Sequence, residues 1–481
     1  MRTPVAELFQ TPYSLSFESA GNARFAVYNP ANGAFLADVP DAGAAETSAA
    51  IARAYAAFPA WAATPAIERA NLLRRVAALM IDRREQLATV MTLEQGKPLS
   101  EARGEIAYAA SFFTWFAGEA ERVYGQLIPA SVAGKRLMVL QQPVGVCALI
   151  TPWNFPTAML TRKLGAALAA GCTAVCKPAE QTPLSALELE KLFIEAGAPA
   201  GIVTVLPASD PRPFADTIFA DERVRKISFT GSTEIGKLLI RRSADSVKRI
   251  SVELGGNAPF IVFDDSNLDA AVSGAIASKF RNAGQTCVCA NRIFVQRGIY
   301  QRFAQTFSAR VAQLRVGDGM QDGNEIGPLI DDPAAEKVAQ HVADATDNGA
   351  RVLVGGSTLA ENKRFWMPTV LADARADMLV AREETFGPVA PLIPFEHETE
   401  VIGMANNSSY GLAAYVFTQN ISRAWRMAEG LEYGIVGMND GMPSTAQAPF
   451  GGVKQSGIGR EGGPQGIAEY LNVKYVSWGV E

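Results

Sequence analysis

A chain of 481 residues is long for one hydrophobic core and comfortable for two or three domains. Its composition, with 48% hydrophobic and 19% charged residues, is that of an ordinary globular protein. A net charge of −5 does not provide the basic balance typical of general nucleic-acid binders. We therefore expect no nucleic-acid partner.

The sequence also argues against export, membrane insertion and metal chemistry. Its first ten residues contain Glu7 and no apolar core of a secretory signal, and no apolar run approaches the ~20 residues of a membrane span. Five cysteines in so long a chain do not make a disulfide scaffold. The two histidines, His341 and His397, offer almost no material for a zinc site or a serine-type triad. We expect a cytoplasmic protein with no metal and no membrane partner.

The hydrophobic pattern predicts four successive regions. Helical periodicity extends from about residue 42 to 120, and the Gly/Pro-punctuated residues 125–143 are typical of extended strands. From Val144 to Ile240 short apolar runs alternate with helices, which predicts parallel βαβ units. A second α/β region follows from about 253 to 462. The predicted strands are 144–150, 172–176, 202–206, 224–229, 292–295 and 470–478, and the predicted helices 158–170, 184–195, 234–240, 268–280 and 300–314.

The last predicted strand, Tyr470 to Trp478, has two possible partners. It can pair with the earlier extended stretch or with another subunit, and the pattern does not decide between them.

One glycine motif is a decoy. Gly457-Ile-Gly-Arg-Glu-Gly462 has the spacing of a dinucleotide fingerprint, but only 19 residues follow it. That length is too short for the βαβ unit and the distal acidic residue that give the motif its meaning. We interpret the segment as a turn.

Two other segments are better placed to bind a nucleotide. The segment from Phe229 to Gly236 follows a strand and opens a helix. Gly231 permits close backbone approach, Ser232 and Thr233 offer hydroxyls, and the free N–H groups of the helix start can attract a phosphate, although Ser-Thr is also an ordinary helix cap. Lys177 and Glu180 follow another strand, where they can hold ribose hydroxyls or form a surface turn.

Cys287 is the candidate nucleophile. It lies in the polar, glycine-containing segment RNAGQTCVCA, whereas Cys147, Cys172 and Cys176 lie among apolar strand residues and are typical of inert core thiols. A packed thiol or half of a metal site are the alternatives. Metal is disfavoured because the chain has two histidines and no further cysteine pair in a polar segment.

A carboxylate and an amide complete the candidate chemistry. Glu253 ends an apolar run before a Gly-Gly turn, and without a suitable histidine a carboxylate must supply any general base. Asn154 lies in a proline-bracketed turn, where its amide can stabilise an oxyanion or serve the turn alone.

Six motifs together resemble the aldehyde dehydrogenase superfamily, in its order and spacing and over essentially the whole chain. They are TPWNFP (151–156), KPAEQTP (177–183), FTGSTEIGK (229–237), VELGGNAP (252–259), GQTCVCANR (284–292) and EETFGPV (383–389). The resemblance implies an α/β fold with a Rossmann-type cofactor domain, an α/β catalytic domain and a small β oligomerisation arm. The implied bounds are 1–122 and 143–252, 253–462, and 123–142 with 463–481, in a homodimer or homotetramer.

The resemblance also implies the catalytic roles. Cys287 forms a thiohemiacetal and then a thioester, Asn154 and the Cys287 N–H form the oxyanion hole, and water activated by Glu253 releases the acid. Lys163 matches a lysine beside the family's active site. The implied cofactor residues are Trp153, Lys177, Glu180, Gly231, Ser232, Leu254, Glu384 and Phe386.

Within the family, the chain most resembles succinate-semialdehyde dehydrogenases. TRK at 161–163, Cys-Val-Cys at 287–289 and PFGGVKQSG at 449–457 carry this likeness. It implies that Arg162, Arg281 and Ser444 hold the remote carboxylate of the substrate, which two arginines can do chemically. Glutarate semialdehyde or another ω-carboxy aldehyde fits the same clamp. A cofactor-independent thioester hydrolase and a catalytically inactive homologue are the alternatives from other classes.

Two further expectations follow from the likeness. Glu180 favours NAD because its carboxylate repels a 2′-phosphate, with NADP as the alternative cofactor. Cys289 is either a spectator thiol or the partner of Cys287 in an inactivating disulfide.

Overall fold

The computed structural model describes residues 8, 13, 23–359 and 362–480, so most of the predicted signal-free N-terminus lies outside the described residues. The first part of the chain contains β1 (Arg24–Tyr28), β2 (Phe35–Pro40), α1 (Ala44–Ala63), α2 (Ala66–Asp82), α3 (Arg84–Gln95), α4 (Leu99–Ala120), β3 (Gln126–Ile128) and β4 (Lys135–Pro143). The second part contains β5 (Val146–Ile150), α5 (Pro156–Ala170), β6 (Thr173–Lys177), α6 (Pro183–Glu195), β7 (Val203–Val205), α7 (Pro211–Ala220), β8 (Val224–Thr230), α8 (Thr233–Ala244) and β9 (Arg249–Glu253).

The third part begins with β10 (Ala258–Val262), α9 (Leu268–Phe280), β11 (Ala290–Gln296), α10 (Arg297–Val311), α11 (Asp332–Asp347), β12 (Arg351–Val354), β13 (Thr358–Leu359), β14 (Asn362–Trp366) and β15 (Thr369–Ala372). It ends with α12 (Leu379–Arg382), β16 (Val389–Phe395), α13 (Glu398–Asn406), β17 (Ala413–Phe417), α14 (Ile421–Gly430), β18 (Ile435–Met438), β19 (Gly457–Ile458), α15 (Gly463–Ala468) and β20 (Leu471–Gly479). The predicted helical region and every strand and helix predicted up to residue 314 are present, with shifts of a few residues at their ends.

The first sheet has the order β19-β9-β8-β5-β6-β7 and is parallel except for β19. The strands β5 and β6 are apolar and almost wholly buried because helices cover both faces. Strand β5 comes first in the chain among the parallel strands yet lies between β8 and β6, so the strand order reverses there. Such a reversal opens a crevice at the carboxyl ends of the strands, where ligands bind.

The second sheet has the order β12-β15-β16-β11-β10-β17-β18 and is parallel apart from its edge strand β12. Aromatic side chains fill much of its core, and the rings of Phe260 and Phe417 stack 4.9 Å apart. The α/β fold class with parallel sheets is confirmed.

The last strand pairs within its own chain. Strand β20 is antiparallel to β4, from Leu471 opposite Pro143 to Gly479 opposite Lys135, and β3 completes a three-stranded sheet. Leu127 and Trp478 on this sheet are 82% and 61% exposed. Apolar exposure on this scale is typical of a surface that another molecule covers.

Two short elements lie near the expected domain boundaries. Residues 463–468 form helix α15, which packs on α4 and α5 because Gly466 and Ile467 are buried there, instead of joining the three-stranded sheet. The decoy segment is not only a turn, since β19 adds an edge strand to the first sheet by pairing Gly457 with Glu253. The stretch after about 456 therefore belongs with the first sheet, although the expected second domain runs to 462.

Within the described residues, no helix is long and apolar enough to cross a bilayer. In the same part of the chain, no three His, Cys, Asp or Glu side chains are grouped so that they can hold a metal ion.

Candidate active site

A cavity of about 380 Å³ lies where the two sheets meet. Its volume is in the range of small-molecule sites. It contains eight of the residues that the sequence predicted for the site, from five separate motifs. The lining is Pro152, Trp153, Asn154, Met159, Thr230, Gly231, Ser232, Leu254, Gly255, Cys287, Pro333, Ala334, Lys337, Glu384, Thr385 and Phe386.

The turn between β5 and α5, residues 151–156, holds Asn154 by nearly all of its polar atoms. The side-chain amide donates a hydrogen bond to the Gln285 carbonyl at 3.0 Å, and its oxygen accepts from the Phe155 N–H at 3.1 Å. The Asn154 carbonyl accepts from Asn282 at 3.0 Å. One amide hydrogen of Asn154 is left to face the cavity, which suits a group that stabilises a developing negative charge.

A buried ion pair supports this turn from behind. The Lys97 ammonium donates to Glu105 at 2.5 Å and to the Asn154 carbonyl at 2.7 Å, and it lies 3.9 Å from the ring of Phe155. The other Glu105 oxygen accepts from the Thr157 N–H at 3.1 Å, at the start of α5. Burial lowers the pKa of Lys97, and Glu105 opposes that shift. The pair fixes both ends of the Asn154 turn.

The nucleophile loop enters the cavity from the other side. Asn282 and Ala283 have positive φ angles of 52° and 55°, which are uncommon for residues other than glycine, and the Asn282 N–H is fixed by Glu101 at 2.8 Å. Burial raises the pKa of the Cys287 thiol to about 12, although the charges of Arg162 and Arg281 act against that shift. The thiol is therefore protonated at neutral pH and needs a base before it can attack.

The turn after β9 abuts the nucleophile directly. A Cβ atom on Gly256 would lie 2.3 Å from the Cys287 carbonyl oxygen, so only glycine fits there. The Gly256 N–H donates to Glu384 at 3.1 Å. The glycine that the sequence placed after Glu253 is thus required by the close approach of two backbones.

A buried ionic cluster lies next to the cavity and consists of Arg162, Lys163, Glu253 and Glu461. Both cations are ion-paired with Glu461, and Lys163 also donates to Ser228 at 3.1 Å. These pairs lower the pKa of Glu461 even though burial alone would raise it. Both cations therefore share the ionised carboxylate of Glu461, and burial lowers the pKa of Lys163.

Arg162 is 1% exposed, and no acceptor among the described residues makes a well-formed hydrogen bond to its two terminal nitrogens, although the Tyr108 hydroxyl lies close enough for the guanidinium to oppose the rise that burial causes in the Tyr108 pKa. The guanidinium lies over the ring of Phe450, with its carbon 4.1 Å from the ring centre. Five N–H donors in a buried guanidinium normally find acceptors, since each buried donor without one costs free energy. These nitrogens are therefore able to donate hydrogen bonds to an anion.

Glu253 ends β9 and is 3% exposed, with one carboxylate oxygen lacking any partner among the described residues. Burial and the negative charge of Glu461 raise its pKa well above the usual value, against the charges of Arg162 and Lys163. A carboxylate with a raised pKa and a free oxygen is suited to take a proton near neutral pH.

The opposite end of the cavity is built for an anion. Ser232 caps α8 by accepting from the Ile235 N–H at 3.4 Å, and the three residues before this helix, Thr230, Gly231 and Ser232, line the cavity. The buried Thr230 hydroxyl in the cavity wall has no partner among the described residues. Gly236 is fixed by packing, since a Cβ there would lie 2.3 Å from Leu254.

Lys177 and Glu180 lie at the end of β6, outside the lining of the cavity. Their charged groups are 3.7 Å apart, Lys177 is 3% exposed and Glu180 is 44% exposed. Burial lowers the pKa of Lys177. The pair stands beside the crevice, at the register where Ile150 of β5 faces Lys177.

Glu384, Phe386 and Trp153 line the middle of the cavity. The rings of Trp153 and Phe386 meet edge to face at 5.6 Å. Burial raises the pKa of Glu384 to about 7.

The remaining predicted residues are less closely grouped. The Arg281 guanidinium lies 5.0 Å from the ring centre of Phe155, on the same side as Cys287. Ser444 is half-buried in the loop after β18. The Cys289 thiol is 6% exposed and accepts a hydrogen bond from Lys279 at 3.2 Å. Neither Cys287 nor Cys289 is in a disulfide.

Sequence reasoning missed Glu461, Lys97 and Glu105. Glu461 lies inside the decoy glycine motif, and the two others lie in the helical region far from the six motifs. A signal for Glu105 existed in principle, because a charged residue on the buried face of a helix is normally paired, whereas Lys97 lies in the connection between α3 and α4, where no periodic pattern marks it.

The fold and the cavity together define a class of enzyme: a doubly wound α/β protein with an anion-binding helix start at one end of its crevice and a cysteine with a buried carboxylate at the other. The model of the aldehyde dehydrogenase family matches residues 17–476, and the chain belongs to this family.

Three known proteins illustrate the likeness. A succinate-semialdehyde dehydrogenase [NADP(+)] of Escherichia coli, GabD, is 56% identical over 454 residues, 94% of each chain. A glutarate-semialdehyde dehydrogenase of Pseudomonas putida is 55% identical over 450 residues, covering 94% of this chain and 93% of that protein. The crystal structure of an E. coli NADP-dependent enzyme superposes with a TM-score of 0.96 at 53% identity, covering 99% of both chains.

Proposed function

We propose that this protein oxidises succinate semialdehyde to succinate with a nicotinamide cofactor. The observation that carries the substrate assignment is the pair of unpartnered, buried terminal nitrogens on Arg162. A carboxylate at the far end of the substrate can accept from both nitrogens in a charge-assisted pair. A neutral aldehyde would leave both nitrogens without acceptors, at a cost of about 1–3 kcal/mol for each buried donor.

The carboxylate clamp has two further proposed members. Arg281 lies over Phe155 and acts with Arg162 on the Cys287 thiol, so both cations face the same region. Ser444 would add a hydroxyl from the loop after β18. Two relatives are named for succinate semialdehyde and glutarate semialdehyde, and both of these aldehydes carry a carboxylate at the far end of the molecule. These names support the assignment.

The reaction proceeds in two halves on Cys287. Once the thiol proton has passed to solvent water, the thiolate sulfur attacks the aldehyde carbon, and the amide of Asn154 and the Cys287 N–H donate to the oxygen that becomes negative. A bound nicotinamide would supply the acceptor for the hydride that this carbon loses. A thioester remains on the sulfur. Glu253 takes a proton from water, the water oxygen attacks the thioester carbon, and the acid leaves as the thiol is restored. Lys163 assists by keeping Glu461 ionised beside Glu253.

The cavity residues fit a dinucleotide. The free Thr230 hydroxyl, Gly231, Ser232 and the start of α8 would hold the pyrophosphate, and Leu254 and Trp153 would line its path. Glu384 and Phe386 would hold the nicotinamide half, and Lys177 and Glu180 the adenosine ribose.

NAD is the proposed preferred cofactor because the exposed carboxylate of Glu180 repels a 2′-phosphate. NADP use is the alternative, given the name of the E. coli relative. A Glu180→Ala variant should shift the ratio of kcat/KM for NADP over NAD upward by about 10-fold. An unchanged ratio would remove the role of this carboxylate.

Glutarate semialdehyde is the second candidate substrate, since its extra methylene leaves the carboxylate within the same clamp. A thioester hydrolase without cofactor is the candidate from another class, and aldehyde-dependent NADH absorbance separates it from the dehydrogenase.

The clamp is tested with a panel of four-carbon and five-carbon semialdehydes and uncharged aldehydes of matching length. Arg281→Ala should raise KM for the carboxylated aldehydes by about 10–100-fold and change KM for the neutral ones little, since a charge-assisted contact contributes about 1.5–3 kcal/mol. The matched control is Arg212→Ala, on an arginine whose side chain is 83% exposed at the protein surface. Equal effects of Arg281→Ala on both substrate sets would overturn the clamp.

The three-stranded sheet is the proposed oligomerisation arm of a homodimer or homotetramer. Its exposed apolar residues Leu127, Val473 and Trp478 support this role.

A disulfide between Cys287 and Cys289 stays a prediction. Mild peroxide should then abolish activity, and a thiol reductant should restore it. The Cys289→Ala variant should not show this reversible loss.

A further inference from the structure

One buried lysine departs from the pattern of the others. Lys97, Lys163, Lys226 and Lys279 are each at most 1% exposed. The first three are ion-paired with Glu105, Glu461 and Glu469. Lys279 has no carboxylate at ion-pair distance among the described residues, and the one hydrogen bond of its amine goes to the sulfur of Cys289 at 3.2 Å. Burial of an amine without a carboxylate is costly, and the site calls for an explanation.

The cysteine is equally distinct. Cys289 is 6% exposed, and no other cysteine has a lysine nitrogen at hydrogen-bond distance in the described chain. Its backbone is held on both sides, because the Cys289 N–H donates to the Thr286 carbonyl at 2.9 Å and the Ala290 N–H donates to Ser278 at 3.2 Å. The sulfur and the amine are thus kept in contact by a rigid frame that leads from the end of α9 to the nucleophile loop.

We propose that Lys279 and Cys289 form a covalent sulfur–nitrogen cross-link when the protein meets a hydroperoxide. This modification site is independent of the proposed function, and it differs from a disulfide with Cys287 because its second partner is an amine.

The chemistry balances with hydrogen peroxide as the oxidant. The Cys289 thiol is oxidised by two electrons to a sulfenic acid, and the peroxide is reduced to water. The lysine amine then attacks the sulfur, the sulfur–oxygen bond breaks, and hydroxide leaves with a proton of the amine as a second water molecule. The product has a sulfur–nitrogen bond and two hydrogens fewer than the starting pair. Two molecules of an external thiol reverse the link and become a disulfide.

The direct test is peptide mapping of peroxide-treated protein that carries Cys287→Ser, so that no disulfide with residue 287 can form. The link blocks tryptic cleavage after Lys279 and should join the peptide Ile250–Arg281 to the peptide Asn282–Arg292, with a loss of two hydrogens. Treatment with dithiothreitol should restore both peptides. A Cys289 that is oxidised to sulfinic acid, with cleavage after Lys279 unchanged, would overturn the proposal.

Two variants in the same background provide the controls. Lys279→Met should abolish the joined peptides and leave a Cys289 sulfenic acid that dimedone labels. Cys289→Ser should abolish both the link and the label. If the joined peptides persist in Lys279→Met, another amine is the partner and the assignment is wrong. The mapping of the Cys287→Ser protein itself does not depend on how well either variant folds.

Discussion

The Asn154 turn and the ionic cluster both lie at the cavity, but they differ in how many of their buried polar atoms have hydrogen-bond partners. In the turn, backbone and side-chain atoms of Asn154 are bound to Gln285, Asn282 and Lys97, and little freedom is left. In the cluster, Arg162 and Glu253 keep buried atoms without partners among the described residues. The comparison teaches that satisfied atoms position the chemistry, whereas unsatisfied buried atoms mark where a ligand or a transferred proton belongs.

The largest expected effect concerns the thiol on which both regions converge. Cys287→Ser should lower kcat for aldehyde oxidation by at least about 10⁴-fold, because an alcohol with no strong base beside it is a far weaker nucleophile than a thiolate. NADH formation measures it, and Cys289→Ser is the matched control with activity retained. If Cys287→Ser oxidised the aldehyde at an undiminished rate, Cys287 would not be the nucleophile, and the two regions would have no shared reacting atom.

Glu253→Gln tests the unsatisfied side. The steady-state rate should fall by about 10²–10⁴-fold, while one equivalent of NADH still forms in a burst when the first half-reaction is intact. Because the pKa of Glu253 is raised, its base form accumulates only as the pH climbs through that raised value. The wild-type rate should therefore increase with pH, and the variant should lack this limb. Loss of the burst together with the steady state would assign Glu253 to thiol activation as well.

Lys97→Met tests the satisfied side. Removing the ammonium takes away the hydrogen bond to the Asn154 carbonyl, so the Asn154 side chain should be slightly misplaced. Because a small misplacement of a catalytic group slows the reaction, kcat should fall by about 10–100-fold, with little change in KM for the cofactor. Lys363→Met, at an exposed surface lysine, is the control. A rise in KM without a change in kcat would contradict a positioning role.

The smallest expected effect is on stability and involves Glu384. Its pKa is raised to about 7 in the folded protein, so the stability that its protonated form contributes is full below about pH 4.5 and is lost as pH rises through 7. Glu384→Gln should remove this loss and stabilise the protein at pH 8 relative to wild type by about 1–3 kcal/mol. Thermal melts at pH 5 and pH 8 measure it, and parallel pH trends in both proteins would exclude the effect.

The sequence predicted the parallel strands and their helices well because buried strands and amphipathic helices leave distinct periods. It also predicted the eight cavity residues, but through the family resemblance, since Ser232 alone could equally be a helix cap and Asn154 alone a turn residue. The pattern could not predict that β20 pairs within the chain, because an edge strand carries no mark of its partner.

The ionic cluster was the hardest part to predict. Glu461 lies 299 residues from Arg162 in the chain, and only the fold brings the two side chains together. Ion pairs between such distant residues have no local spacing rule, unlike the i, i+4 pairs of a helix. The same holds for Lys97 and the Asn154 carbonyl, which are 57 residues apart.

The contact between Gly256 and the Cys287 carbonyl limits how the enzyme can be redesigned. Any side chain at position 256 would displace the loop that carries the sulfur, so a library that aims to widen the pocket gains nothing there. Met159 lines the same cavity from α5, away from this contact between two backbones. A library for bulkier aldehydes should therefore vary Met159 first.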